Sequence, residues 1–234
     1  IGFNTSVDAG CPYPVCDWTD TELERIEVCF SIACNARCVF CHFDHTYNKE
    51  LEDLYFKCIS DLANSPIREI GLATTGEPLF NKTKTFQFLD NIQGYKEISI
   101  KSNLLSLTPE DAQHLVDLNN KLKIQVSCSI NGIDGKTVSE IEQVPVDFER
   151  LCKVVAILYD GHLLTGISNV ILPHTLYQLP ILKETWNNIH PGLGDIVYPL
   201  VDLSNRNNNA GIVNSSKEWK EYFNGRDVKT GLDV

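Results

Sequence analysis

The sequence predicts an α/β fold: a parallel sheet with its helices outside it. Three observations carry that expectation. Short β-branched runs alternate with helical patterns, the cycle recurs six times, and each crossover is long enough to hold a helix. Six units are too few for a closed eight-stranded barrel. They form either an open partial (β/α)6 TIM-like barrel or a doubly wound sheet, and both architectures place chemistry at the C-terminal ends of the strands.

The elements follow in order. Residues 1–22, with Gly2, Gly10, Pro12 and Pro14, read as an irregular N-terminal segment. The first strand is expected over 25–32, followed by a cysteine-rich loop and a helix over 48–63, where Leu51, Leu54, Tyr55, Cys58, Ile59 and Leu62 recur at helical spacing. The second strand, 69–73, runs into "TTGEPL" and a helix through Phe86, Phe88 and Leu89. The third, 97–101, leads into a helix with Thr108 as N-cap, Pro109 at its first position and Asp111 at N3, a near capping box. The fourth strand, 123–129, precedes "INGIDG" and then a helix over 147–159, with Gly161 placed just beyond its end. The fifth strand spans 164–172, before Pro173 and a helix around 179–189, and the sixth spans 195–201. The core is therefore expected over 23–205, with a C-terminal tail over 206–234.

Composition narrows the function classes. The net charge of -11 argues against a nucleic-acid-binding surface, which is normally basic. No apolar run approaches a membrane span and no signal peptide opens the chain. The nine cysteines form no secreted disulfide pattern, so a soluble, reduced, cytoplasmic protein is expected. Cys29, Cys58 and Cys152 lie in apolar patterns and read as buried small hydrophobes; Cys11 and Cys16 flank a proline-rich loop and read as ordinary thiols.

Three cysteines remain. Cys34, Cys38 and Cys41, in "ACNARCVFCH", sit on the loop after the first strand. Thiolate sulfur is a soft ligand for zinc or for iron–sulfur clusters. A structural zinc site is normally closed by a fourth Cys or His, a role open to His42 or His45. Three cysteines at C-x3-C-x2-C suit three corners of a [4Fe–4S] cubane whose fourth iron is free to bind a ligand.

At this point the chain resembles the radical S-adenosylmethionine (SAM) superfamily, whose cluster motif is C-x3-C-x-aromatic-C on the loop after the first strand. Cys34, Cys38 and Cys41 match the ligands and Phe40 matches the aromatic position beside the adenine. Thr75-Gly76-Glu77-Pro78 resembles the "GGEP" turn that meets the amino group of SAM, with Thr75 in place of the first Gly. Ser102 and Asn103 in "KSNLLSL" are similar to the family's "TNGxLL", with Leu104 where the family has Gly. On the fourth strand Ser127 and Ser129 share one face and Cys128 takes the other, so the serines and Asn131 are candidate ribose or carboxylate contacts. Ser168 and Asn169 are further candidates on the fifth strand. The tail "YPLVDLSNRNNNAG" resembles the "SNRGG"-like segment of members with a SPASM or twitch extension, which makes Asn205 and Arg206 candidate substrate contacts. No cysteine follows Cys152, so this chain offers no ligands for an auxiliary cluster.

The resemblance, over about 25–205, implies a partial barrel and an enzyme with two cofactors, a [4Fe–4S] cluster and SAM. One electron cleaves the sulfonium and the resulting 5′-deoxyadenosyl radical takes hydrogen from a peptide or small-metabolite substrate. An electron donor such as flavodoxin or ferredoxin is implied as partner. Two rivals stand beside it: an iron–sulfur electron-transfer protein, and a zinc-stabilised α/β binding module.

Overall fold

Six parallel strands lie in strictly sequential order, β1 to β6, each joined to the next through helical structure. This computed structural model describes residues 24–29, 31–41, 43, 47–72 and 76–201. The elements are β1 (Arg25–Val28), α1 (Lys49–Ser60), β2 (Glu69–Leu72), α2 (Lys82–Asp90), β3 (Glu97–Ser102), α3 (Pro109–Leu118), β4 (Lys123–Ser129), α4 (Gly135–Glu142), α5 (Phe148–Asp160), β5 (Leu164–Ile171), α6 (Leu182–Ile189) and β6 (Val197–Val201). The sequential order decides between the two expected architectures. A doubly wound sheet reverses its strand order at a switch point, and no reversal occurs here. The fold is a partial (β/α)6 barrel, and β1 and β6 are its unclosed edges.

Strand alternation separates the two faces of the sheet. Ile70 and Leu72 on β2, Ile98 and Ile100 on β3, and Ile124, Val126 and Cys128 on β4 are all buried in the layer beneath the helices. They pack with Phe88 and Leu89 of α2, Leu115 of α3 and Val154, Val155 and Leu158 of α5. Trp186 of α6, fully buried, lies 6.3 Å from the Phe148 ring, centroid to centroid. The opposite, concave face carries Glu97, Ser99 and Lys101 of β3 and Lys123, Gln125, Ser127 and Ser129 of β4, none of them buried. A parallel sheet covered on both faces would read as continuous apolar runs. Here alternation leaves a polar, accessible groove inside the half-barrel.

The local signals explain the helix starts. Thr108 and Asp111 form a full capping box: Asp111 N donates to Thr108 Oγ1 at 3.3 Å, and Thr108 N donates to Asp111 Oδ2 at 2.8 Å. Asn48 caps α1 by accepting from Leu51 N at 3.0 Å. Four expectations need correction. β1 ends at Val28 rather than residue 32, because Ile32 N and Ala33 N donate to the Glu52 carboxylate and leave the strand ladder. Helix α4 was not expected; Asp134 starts it by accepting from Thr137 N at 2.8 Å, and Val138 and Ile141 bury its inner stripe. β6 begins at Val197, two residues late, since a short 3-10 helix occupies Leu193–Ile196. Cys58 and Leu54 of α1 are exposed, because the stripe that turns inward is Glu52 and Ile59, one heptad apart. Cys29 and Cys152 are half-buried; among the described cysteines the fully buried one is Cys128. Residues 1–22 and 206–234 lie outside the described residues. No described helix is long and apolar enough to cross a membrane.

Candidate functional site

The loop from Ser31 to Cys41 leaves β1 at the C-terminal end of the sheet and is tied down on three sides. From α1, buried Glu52 accepts at Oε1 from Ser31 Oγ at 2.8 Å, Ile32 N at 3.1 Å and Ala33 N at 3.4 Å. From the end of α4, Glu142 O accepts from Arg37 N and Ile141 O accepts from Val39 N, both at 2.9 Å. From the turn after β2, Glu77 N donates to Ala33 O at 2.8 Å. Backbone anchors of this kind hold the thiols in place without using the thiols themselves.

Gly76 crosses beneath this loop. Its φ is +72°, and a Cβ there would stand 2.3 Å from Ser31 O and 2.6 Å from Ala33 O. Both conformation and space therefore demand glycine. Glu77 follows, 3% exposed, with each carboxylate oxygen already engaged. Oε1 accepts from Leu79 N at 2.9 Å and Ser102 Oγ at 2.7 Å, while Oε2 accepts from Asn103 N at 2.8 Å. Burial pushes this carboxyl above the usual range, against the opposing pull of those hydrogen bonds. Glu77 thus joins the end of β2 to the end of β3. Asn103 in turn donates from Nδ2 to Asn35 Oδ1 at 2.8 Å on the cysteine loop. Leu104, which replaces glycine in the expected motif, has φ +60°, so the backbone keeps the left-handed turn while the side chain stays buried.

These segments enclose a cavity of about 350 Å³ at the C-terminal ends of the strands. Cys34, Cys38, Cys41 and Phe40 line it from the cysteine loop; Gly76, Glu77, Ser102, Asn103 and Ser129 line it from the strand ends. Three expected residues point elsewhere. Ser127 lines an adjoining cavity further down the concave face. Asn169 is turned the other way, donating to Gly132 O at 3.3 Å, because its neighbours Ser168 and Val170 take the cavity face of β5. Pro78 contributes its carbonyl to Thr85 Oγ1 at 2.6 Å rather than lining the cavity. Thr75, Asn205 and Arg206 lie outside the described residues, as do Cys11, Cys16, His42 and His45.

Sequence reasoning missed two ionisable residues of the cavity, Glu142 and Lys101, and one support, Glu52. Glu142 is 1% exposed; Oε1 accepts from Asn131 Nδ2 at 3.2 Å, and Oε2 has no partner among the described residues. Burial pushes its carboxyl up to about 8, the hydrogen bonding with Asn131 opposing. The N-cap Asp134 followed by Val138 and Ile141 was the available signal for the helix that carries it. Lys101 was signalled by period-2 alternation in "EISIKS".

The thiols suit a soft metal centre chemically. All three line one cavity, and none of them forms a disulfide among the described residues. Burial pushes the Cys34 and Cys38 thiols up, so their thiolates would require a compensating positive charge, which a coordinated metal would supply. Among the described residues no three Cys, His, Asp or Glu side chains converge as ligands of one metal ion. Cysteines addressed to separate corner irons of a cluster need no such convergence.

Comparison with known proteins accords with this arrangement. No family model matches the chain. A probable GTP 3′,8-cyclase of Methanopyrus kandleri is 22% identical over 167 residues, covering 70% of this chain and 52% of the relative. Among solved structures, native anSMEcpe with bound AdoMet superposes with a TM-score of 0.55 at 15% identity, over 77% of this chain and 51% of that one. The same protein with bound AdoMet and Cp18Cys peptide gives 0.50 at 16% identity, over 76% and 49%. The chain therefore spans about half the length of the relatives it matches. At these identities the likeness to the solved structures is one of fold.

Proposed function

We propose that the chain is a radical SAM enzyme in which Cys34, Cys38 and Cys41 hold a [4Fe–4S] cluster and SAM occupies the cavity beside it. The observation that carries this reading is that the three thiols of one loop line a single cavity at the C-terminal strand ends, with the Gly76 turn, Asn103 and Ser129 among its other walls. An electron carrier would call for a fourth protein thiolate at the cluster, and the described cavity wall carries three.

When bound, the cluster and SAM supply one-electron cleavage of the sulfonium and, through it, hydrogen abstraction from substrate. The chain's own residues bind and orient. The Gly76 turn would offer backbone acceptors to the SAM ammonium, and the backbone at Phe40 would meet the adenine. Asn103, Ser129 and Asn131 offer hydrogen bonds to the ribose and carboxylate, a role in which Ser127 and Asn169 would act only from behind the wall. Thr75 belongs to the same turn as Gly76. Asn205 and Arg206 extend the site toward a peptide or small-metabolite substrate, consistent with the peptide held by the structural relative. Reduction calls for a donor of the flavodoxin or ferredoxin kind, and the reduced cysteines suit a cytoplasmic setting.

The test is anaerobic reconstitution with iron and sulfide, followed by SAM and dithionite and an assay for 5′-deoxyadenosine. Formation of the nucleoside, abolished by Cys38→Ala, is expected. A colourless chain that binds one zinc and cleaves no SAM would overturn the reading.

A further inference from the structure

The cations of the concave face are matched to carboxylates, with one exception. Arg25 on β1 pairs with Glu27 at 2.6 Å and Glu69 at 3.5 Å, and Lys123 on β4 pairs with Glu97 at 2.7 Å. Both pairings lie toward the N-terminal end of the sheet, away from the cysteine loop. Lys101, near the C-terminal end of β3, makes no ion pair or side-chain hydrogen bond with any described residue. Of the carboxylates around it, Glu27 is engaged by Arg25 and Glu77 by Leu79, Ser102 and Asn103, while Glu142, in the wall of the same cavity, accepts from Asn131 at Oε1 and has no partner for Oε2 among the described residues.

Its position is as informative as its lack of a partner. Lys101 lines the 350 Å³ cavity beside the thiols and also the adjoining cavity of about 200 Å³, which continues down the concave face past Ser99, Gln125, Ser127 and Thr165. It therefore stands where the two spaces meet. The lower space is also lined by Glu27, whose carboxylate Arg25 holds at 2.6 Å, and Lys101 is the cation among its lining residues. An ammonium brings three donors and a point charge, and no acceptor. In a chain of net charge -11 an unmatched lysine facing an interior groove is a local attraction for an anion that the rest of the surface repels.

We propose that Lys101 anchors the substrate through an anionic oxygen group, a carboxylate or a phosphate, held at the junction of the two cavities. This inference rests on the reading above that SAM fills the upper cavity, and it names the substrate class of that site. The bound group would take the side chain's donors while the part of the substrate to be modified extends toward the thiol side of the cavity. A neutral or purely cationic substrate would leave Lys101 unmatched.

The experiment is residue-resolved acetylation of the cluster-reconstituted 234-residue chain, read by mass spectrometry at constant ionic strength. Inorganic phosphate and acetate are the two probes, with Lys136, whose side chain is 84% exposed, as the internal reference. At saturation one probe or both is expected to slow acetylation of Lys101 roughly threefold or more, with Lys136 unchanged. Which probe protects distinguishes a phosphate from a carboxylate anchor. Equal effects on the two lysines, or none on Lys101, would overturn the proposal. So would full protection by SAM alone, which would give Lys101 to the cofactor. Formation of 5′-deoxyadenosine by the same preparation reports separately on the cofactor reading. Failed protection with nucleoside formed overturns the Lys101 anchor alone. Protection without nucleoside leaves an anion site and overturns its role in a radical enzyme.

Discussion

Glu142→Gln isolates a buried carboxyl of the cavity that burial raises well above its ordinary range. The glutamate carboxyl stands at about 8 in the folded chain against an ordinary 4.5, chiefly because burial disfavours its charge. The folded state therefore holds a proton that the unfolded chain releases between those two values. Stability from this group is fully present below about pH 4.5 and is lost progressively as the pH rises through about 8. At about 1.4 kcal/mol for each unit of separation, the upper bound is roughly 5 kcal/mol; residual hydration and local relaxation bring the expected effect to about 2–4 kcal/mol. Glutamine keeps the hydrogen-bonding shape and cannot ionise. Urea denaturation of the reduced, metal-free chain and its variant, at about pH 5, 7 and 9, reads the difference directly. The variant is expected to gain on the parent steadily from acid to alkaline pH. Profiles that stay parallel over the whole range would show that Glu142 is hydrated in solution and would refute the reasoning.

Other expectations concern the supports of the site. Gly76→Ala meets both a left-handed φ and backbone oxygens 2.3 and 2.6 Å from the new Cβ, so a loss of about 3 kcal/mol or more is expected in thermal or urea unfolding. Glu52→Ala removes the carboxylate that accepts from Ser31 Oγ, Ile32 N and Ala33 N, leaving Ala33 N its 3.1 Å bond to Ser31 Oγ. It is expected to cost about 2–4 kcal/mol and to raise the rate at which a thiol reagent modifies Cys34; an unchanged rate would mean that the loop does not depend on this anchor. Thr108→Ala removes the Thr108 half of the α3 capping box and should cost about 1 kcal/mol with no change in Cys34 reactivity.

The alternation of strands and helices, the cap at Thr108 and the clustering of Cys34, Cys38 and Cys41 were legible in the chain because each is a local property. Period, cap chemistry and spacing express themselves within a few residues. The split of Ser127 and Ser129 from Cys128 was legible for the same reason, since a strand's two faces follow from its period. α4 was passed over because an eight-residue helix buries only a short stripe, and "INGIDG" reads as turn chemistry until Val138 and Ile141 are seen to have a core to face.

Tertiary structure decided the rest. Sequential strand order, and hence a half-barrel rather than a doubly wound sheet, depends on which strands meet, and no local pattern encodes that choice. The end of β1 at Val28 was set by Glu52, a carboxylate on the following helix that draws two strand amides away. Asn169 and Ser168 were indistinguishable as candidates until the register of β5 turned one toward Gly132 and the other toward the cavity. Glu142 and Lys101 became site residues only through folding, one by burial beside the cysteine loop, the other by the pairing of every other cation on its face of the sheet. Sequence alone determined which soft ligands and glycine turns the chain carries, because these declare themselves by residue type. The charges that a substrate would meet were decided by packing, because a charge acquires its strength from whatever the fold leaves unpaired around it.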